Sequence, residues 1–319
     1  MKASTVQSAE RILLVGDQSA IGAALIQRLL HLGHPRSHIQ VTSTTSANWS
    51  DSEVVHALMR EILPDLVYVV EASDCPFDTE ASAISSTALI SAAAEAGVAN
   101  LMFVGTVAPL AGPITAIPGG TVFPHNCGNH AAALQLCTLL ASQGMNYRSV
   151  ITCEPYGPCR PPKVPTRKSQ AAGLIEDLLS QFTTALARGL DRVTIQAHPH
   201  DRLELMYLND IAEAIVHVMD LPQATLSATT QQRSLHVDIG AEQVVWILEL
   251  IKAVAAAVGF RGRFQLDPTP VARCSPRLDH HTLANLGWRP LISLETGLEL
   301  SAMDFRLRHR TFQSTVCVT

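Results

Sequence analysis

Arg11–Gly33 reads "RILLVGDQSAIGAALIQRLLHLG". Four apolar residues in a row, Ile12 to Val15, end at Gly16, and an amphipathic run then carries on to Gly33. A short continuous apolar run, a glycine turn and a helix-period pattern spell a β-strand feeding an α-helix. The alternation continues outward. "IQVTST" (39–44) reads as a strand, "DSEVVHALMREI" (51–62) as a helix and "DLVYVVEA" (65–72) as a strand. An Ala/Ser-rich helix near 80–97 leads to the strand "NLMFVGT" (100–106). A helix near 126–143 leads to "YRSVITCEPYGP" (147–158). Units of roughly 30 residues repeating in this way predict a doubly wound parallel α/β sheet with helices on both faces.

From about residue 158 the texture changes. "PCRPPKVPTRKSQ" is Pro-rich and basic, hence a loop. Helices near 170–188 and 241–258 and strands near 192–196 and 263–266 predict a smaller mixed unit. The expected division is a Rossmann-like domain over 8–157, to which segments near 207–240 return. A smaller C-terminal substrate domain covers 158–206 and 241–305, and 306–319 is a loose tail.

Composition narrows the function classes. Of 319 residues, 47% are apolar and 16% charged, enough apolar content for a large core without disulfides. The net charge of -5 argues against a nucleic-acid partner held by phosphate contacts. Seven scattered cysteines form no C-x-x-C pair, and no apolar run reaches a membrane span, so a cytoplasmic protein with no metal site is expected. His198 and His200 in "AHPHD" read as surface, as do His280 and His281, and Cys127 reads as a packed cysteine.

The first strand-turn-helix carries Gly16-Asp-Gln-Ser19-Ala-Ile21-Gly22. A dinucleotide-binding turn needs glycines for the bend, for close approach of a pyrophosphate and for helix packing. The outer two are present and Ser19 replaces the middle one.

These segments resemble the extended short-chain dehydrogenase/reductases (the NAD-dependent epimerase/dehydratase family) and, within them, the GDP-L-fucose synthase group. The resemblance rests on "RILLVGDQSAIGAALIQRL", "NLMFVGT", "LQLCTLLASQGMNYRSVITCEPYGP", "MYLNDIAEAIVHVMDL", "AAVGFRGRFQLDPT" and "SPRLDHHTLANLGWRPLISLETGL". It implies a Rossmann domain, a nucleotide sugar in the cleft beside it, NADP(H) and a homodimer built through the helices near 80–97 and 126–143.

The chemical positions depart from the family pattern. Its Tyr-x-x-x-Lys falls on Asn126 and His130, its serine on Thr106, and its two further proton-transfer residues on Ala108 and near Gly173. Its basic loop residue falls on Gln18, and its phosphate-binding arginines fall in the run from Thr42 to Ser46. Glu71 replaces a small residue at the end of the third strand, where a carboxylate is expected to repel phosphate. Its substrate-side arginine falls on Leu203, next to Arg202, and its tryptophan on Gln196. The expected contacts are therefore Gly16, Ser19, Ile21, Gly22 and Asp51 for a dinucleotide held weakly or not at all. Tyr156, Arg202 and Arg277 are expected on a small-molecule substrate, and Thr106, Asn126, His130 and Glu71 at the chemistry. With an amide where the acid should be, the leading expectation is a non-redox isomerase, cyclase or lyase. A pseudoenzyme binding a ligand or partner is the first alternative. An NADP-dependent nucleotide-sugar epimerase/reductase with a rearranged acid is the second.

Overall fold

The computed structural model describes residues 10–16, 19–42, 51–71, 79–107, 110–111, 128–158, 170–230, 236–270 and 272–316. In chain order the strands are β1 (Ile12–Val15), β2 (Ile39–Thr42), β3 (Leu66–Val70), β4 (Asn100–Thr106), β5 (Leu110–Ala111), β6 (Asn146–Thr152), β7 (Glu154–Tyr156), β8 (Arg192–Gln196), β9 (Arg202–Leu203), β10 (Leu205–Tyr207), β11 (Val237–Ile239), β12 (Val245–Trp246), β13 (Arg263–Asp267) and β14 (Arg273–Cys274). The helices are α1 (Ala20–His31), α2 (Ser52–Ile62), α3 (Thr79–Glu95), α4 (Gly128–Ser142), α5 (Gln170–Ala187), α6 (Leu208–Asp220), α7 (Gln223–Thr230), α8 (Ile247–Val258), α9 (His281–Asn285) and α10 (Leu294–Val316).

Six strands in the order β11-β6-β4-β3-β1-β2 form one sheet in which every pairing is parallel. Strands β1 and β3 are buried along their whole length, as strands covered on both faces must be. Helices α2, α3 and α4 pack in succession, and α1 packs on α6. The fold class is the one the sequence predicts: a Rossmann-like, mostly parallel sheet between helical layers.

The apolar core falls into two clusters. The first joins the six-stranded sheet to α1, α3, α4 and α6 and takes in Leu278, Leu283 and Trp288. The second holds α5, α8 and α10 with Tyr156, Ile195 and Tyr207. Small pairings complete it: β8 with β13, β7 with β10, and a sheet in the order β12-β9-β14-β5.

Three features differ from the sequence expectation. The tail is helical: α10 continues to Val316, with Arg308 bridging Asp304 (2.7 Å) and Glu176 (3.2 Å) and His309 stacked on Phe305. Residues 245–246 form a short strand before α8. Helix α7, "QATLSATT", has no apolar periodicity to announce it.

Candidate functional site

In an open parallel sheet, ligands bind beyond the carboxyl ends of the strands. Gly16 ends β1, Glu71 follows β3 and Thr106 ends β4, so the topology gathers them on that edge. Glu71 N–H donates to Val104 O (2.8 Å), which carries the β3–β4 ladder one step further and fixes the glutamate backbone.

His130 lies in the first turn of α4 and meets this edge. Its Nδ1 donates to Glu71 Oε2 at 2.8 Å and its Nε2 to the Thr106 carbonyl at 3.3 Å. The imidazole packs over Gly105, where a Cβ would stand 3.3 Å from His130 Cδ2 and 2.7 Å from Ile151 Cδ1. Phe103 meets the ring edge-on. Both side chains are buried, Glu71 at 6% and His130 at 7% exposure.

Both acceptors offered to the ring lack a proton to give, so satisfying both requires both ring nitrogens protonated, the imidazolium form. Burial opposes that charge. The hydrogen bond and charge of Glu71, with help from the Thr106 carbonyl, outweigh it and hold the His130 pKa above its ordinary value. The imidazole at the position expected to match the family's lysine thus has a carboxylate fixed beside it. Glu71 was expected to face a phosphate and repel it. Its Oε2 is instead set against His130 Nδ1. Thr152 Oγ1 donates to Thr106 Oγ1 at 3.3 Å, tying β6 to the same edge. Thr152 carries no signal in the sequence, because threonine is ordinary in a strand.

The turn after β1 begins at Gly16. Gly16 has φ +101°, and a Cβ there would lie 2.2 Å from Val70 O, so glycine is obligatory. Ser19 caps α1: its hydroxyl donates to Gly16 O (2.8 Å) and accepts from Gly22 N–H (2.9 Å). The cap spends one of the four amino-terminal N–H groups that would face a pyrophosphate. The turn therefore fits a dinucleotide diphosphate at the helix N-terminus, with a reduced set of donors. Ile21 is buried behind it. Asp51 is the N-cap of α2, accepting from Glu53 N–H at 3.0 Å.

The substrate-side residues scatter. Tyr156 does not line a cleft: it is 1% exposed, its hydroxyl reaches the carbonyls of Ser293 and Leu294 at 3.4 Å, and it packs against Gly297. Its ring is core, which corrects the expected substrate contact. Arg202 lies over the exposed Trp246 ring at 5.3 Å. Arg277 donates to Glu242 O at 2.6 Å. A cavity of about 610 Å³ between α5 and β8 contains Gly173, Asp177, Gln181, Gln196, Asp267 and Arg273. Two of these, Gly173 and Gln196, are positions that the sequence reading set against the family's second proton-transfer residue and its tryptophan. Arg273 was missed in the sequence. It is placed by the β14 pairings, Cys274 with Arg202 and Arg273 with Ala111, and by Asp201, whose Oδ1 accepts from Arg273 N–H at 2.6 Å. Asn126, Gln18, Ala108 and the run from Ser43 to Ser46 lie outside the described residues.

Comparison with known proteins bears on these positions. The family model "NAD dependent epimerase/dehydratase family" matches residues 12–232. GDP-L-fucose synthase of Escherichia coli (strain K12) is 27% identical over 314 residues, covering 91% of this chain and 95% of that protein. A GDP-D-glycero-L-gluco-heptose synthase from Campylobacter jejuni, solved in the presence of NADPH, superposes with a TM-score of 0.76 at 17% identity, covering 95% and 100% of the two chains. A GDP-mannoheptose C4 reductase from the same organism, with NADP bound, gives 0.76 at 19%, covering 95% and 100%. Likeness along nearly the whole chain to proteins named as GDP-sugar synthases and reductases corrects the leading expectation. It runs against a non-redox isomerase, cyclase or lyase and against a pseudoenzyme, and it favours the epimerase/reductase alternative. The family model matches over two thirds of the sequence: the chain belongs to the NAD-dependent epimerase/dehydratase family.

Proposed function

We propose that this chain is an NADP(H)-dependent GDP-sugar epimerase/reductase whose proton-handling group is the buried His130–Glu71 pair. The carrying observation is the 2.8 Å contact between His130 Nδ1 and Glu71 Oε2 at the carboxyl edge of the sheet. In the proposed reaction NADP(H), when bound, supplies the hydride for a sugar carbonyl. Glu71 orients the imidazole through Nδ1. His130 gives up the proton at Nε2 to the carbonyl oxygen as that oxygen gains charge, exchanging its long bond to Thr106 for the substrate. Thr106 and Thr152 hold the floor beneath it. Gly16, Ser19, Ile21 and Gly22 form the turn for the diphosphate, and NADP(H) is held weakly because Ser19 occupies a donor. Arg202, Arg277 and the cavity beside Gln196 serve the nucleotide sugar.

We read the chain as a cytoplasmic homodimer through α3 and α4. Those helices pack on each other and leave Leu139 exposed. No helix among the described residues is long and apolar enough to cross a membrane.

The test is NADPH oxidation with GDP-4-keto-6-deoxymannose by wild type and His130→Gln. Turnover in wild type, cut by about 10² or more in the variant, is the expected result. Absence of turnover in wild type, or an unchanged rate in His130→Gln, would overturn the reading.

A further inference from the structure

The His130 imidazole rests on a bare stretch of β4. Gly105 and Ile151 face each other across the β4–β6 pairing, and the ring lies over the glycine. A Cβ at Gly105 would stand 3.3 Å from His130 Cδ2 and 3.4 Å from its Cγ, over the bond that joins them. The same Cβ would stand 2.7 Å from Ile151 Cδ1. Phe103, two residues back on the same face of β4, meets the ring edge-on with centroids 5.9 Å apart. Gly105 makes no turn, and it has no positive φ to require glycine. Glycine inside a strand weakens it and marks a close approach. At Gly105 the group that approaches is the imidazole.

Both acceptors of the ring belong to the same sheet. Glu71 Oε2 reaches Nδ1 from the end of β3, and the Thr106 carbonyl reaches Nε2 from β4. Carbon atoms pack at about 3.5–4.0 Å. A methyl on Gly105 would therefore press the ring off the sheet by a few tenths of an ångström, away from both acceptors. The clash with Ile151 is the softer one, since Cδ1 is the free end of its side chain. Among the described residues Glu71 is the one charged group that acts on His130, with the Thr106 carbonyl as the second acceptor. Burial works against both.

We propose that Gly105 is a positioning residue for the His130–Glu71 pair: its bare Cα lets the imidazole sit low enough on β4 to meet both acceptors, and a side chain there would lift the ring from them. The effect on turnover rests on the pair's proposed role in reduction. The effect on the titration of His130 rests on the geometry alone.

Gly105→Ala combined with Ile151→Val isolates the contact, because valine lacks the Cδ1 that the new methyl would meet. Ile151→Val alone is the control. The His130 ring nitrogens are followed by NMR across the neutral and alkaline range, without substrate, and His130→Gln identifies their signals. The control should titrate as wild type does. The double variant should titrate at a midpoint lower by about half a pH unit, as expected when a 2.8 Å contact is stretched by a few tenths of an ångström. In NADPH oxidation with GDP-4-keto-6-deoxymannose its kcat should fall by about fivefold or more, with KM within about twofold. The alkaline limb of its kcat profile should move down with the titration. A wild-type midpoint in the double variant overturns the proposal. So does a lowered midpoint in Ile151→Val alone, which would give the role to Ile151. So does a double variant that fails to fold beside a folded control, which would make Gly105 a need of the sheet. A lowered midpoint in the double variant, with no turnover in wild type, would sustain Gly105 and remove the reductase reading.

Discussion

Replacing each partner of the His130–Glu71 pair in turn should give unequal losses, and the inequality tests the charge state assigned to the histidine. At 2.8 Å and an effective dielectric of about 20, the gross attraction is about 6 kcal/mol. Desolvating two ions costs several kcal/mol each, so the net contribution of the intact pair is small. Removing one partner exposes that balance. In Glu71→Gln the histidine sheds its proton. The amide NH₂ then donates to Nδ1, and Nε2–H still donates to the Thr106 carbonyl, so every buried group keeps a partner. The expected cost is about 1 kcal/mol. In His130→Ala the buried carboxylate loses its imidazole partner and faces an imidazole-sized void, and the expected cost is about 3–5 kcal/mol. For a chain of this size each kcal/mol moves the thermal midpoint by about 2 °C. Urea titration and thermal unfolding at neutral pH should therefore separate the two variants clearly. The His130→Ala deficit should shrink in acid, where Glu71 is protonated. Equal losses, or a His130→Ala deficit independent of pH, would refute the buried ion pair.

Wild-type stability should fall as pH rises from mildly acid to mildly alkaline. Burial, partly offset by the N–H groups of Leu278 and Ala241, pushes Glu204 up to about 7 from 4.5. A folded-state pKa above the unfolded one gives stability that is full below 4.5 and lost as pH rises through about 7, at most about 3 kcal/mol. The raised His130 acts with the same sign, in full below 6.5 and lost as pH climbs through its folded value. Urea midpoints across that range should drift downward, and a rise would contradict both assignments. Calorimetry should find NADPH binding to wild type weak and to Ser19→Gly tighter, since the change frees the Gly22 N–H while costing a few tenths of a kcal/mol of helix cap. Weaker binding by the variant would show that Ser19 helps hold the diphosphate. Gly16→Ala should not accumulate as folded protein, because its Cβ would overlap Val70 O; a near-normal thermal midpoint would mean that the turn is not built as described. Sedimentation should show a dimer, and Leu139→Glu on the exposed face of α4 should shift it toward monomer; a wild-type monomer would remove α3 and α4 as the interface.

The sheet was legible because its signal is local. "ILLV" before Gly16 and "LVYVV" before Glu71 are continuous apolar runs of strand length. Helix α7 and the last turns of α10 carry no such pattern. The latter are held by contacts 132 residues apart, Arg308 to Glu176, which no window of sequence contains. Tyr156 shows the converse error. A tyrosine in a matching motif suggested a ligand contact, but its hydroxyl is bonded to the backbone of Ser293 and Leu294.

The site was half legible for the same reason. Glu71 and His130 could each be singled out as unusual at their positions, but they are 59 residues apart. Their meeting depends on the β3–β4 register and on where α4 begins. Taken singly, each substitution reads as a loss: a carboxylate where phosphate should lie, an imidazole where a lysine should stand. Taken together they place an imidazole and a carboxylate 2.8 Å apart at the carboxyl edge of the sheet, an arrangement able to hold a proton there. An acid–base pair of that kind needs no tyrosine four residues earlier in the chain. The loss of the Tyr-x-x-x-Lys spacing therefore argues against the family's usual acid, while the His130–Glu71 geometry leaves hydride chemistry open to a rearranged one.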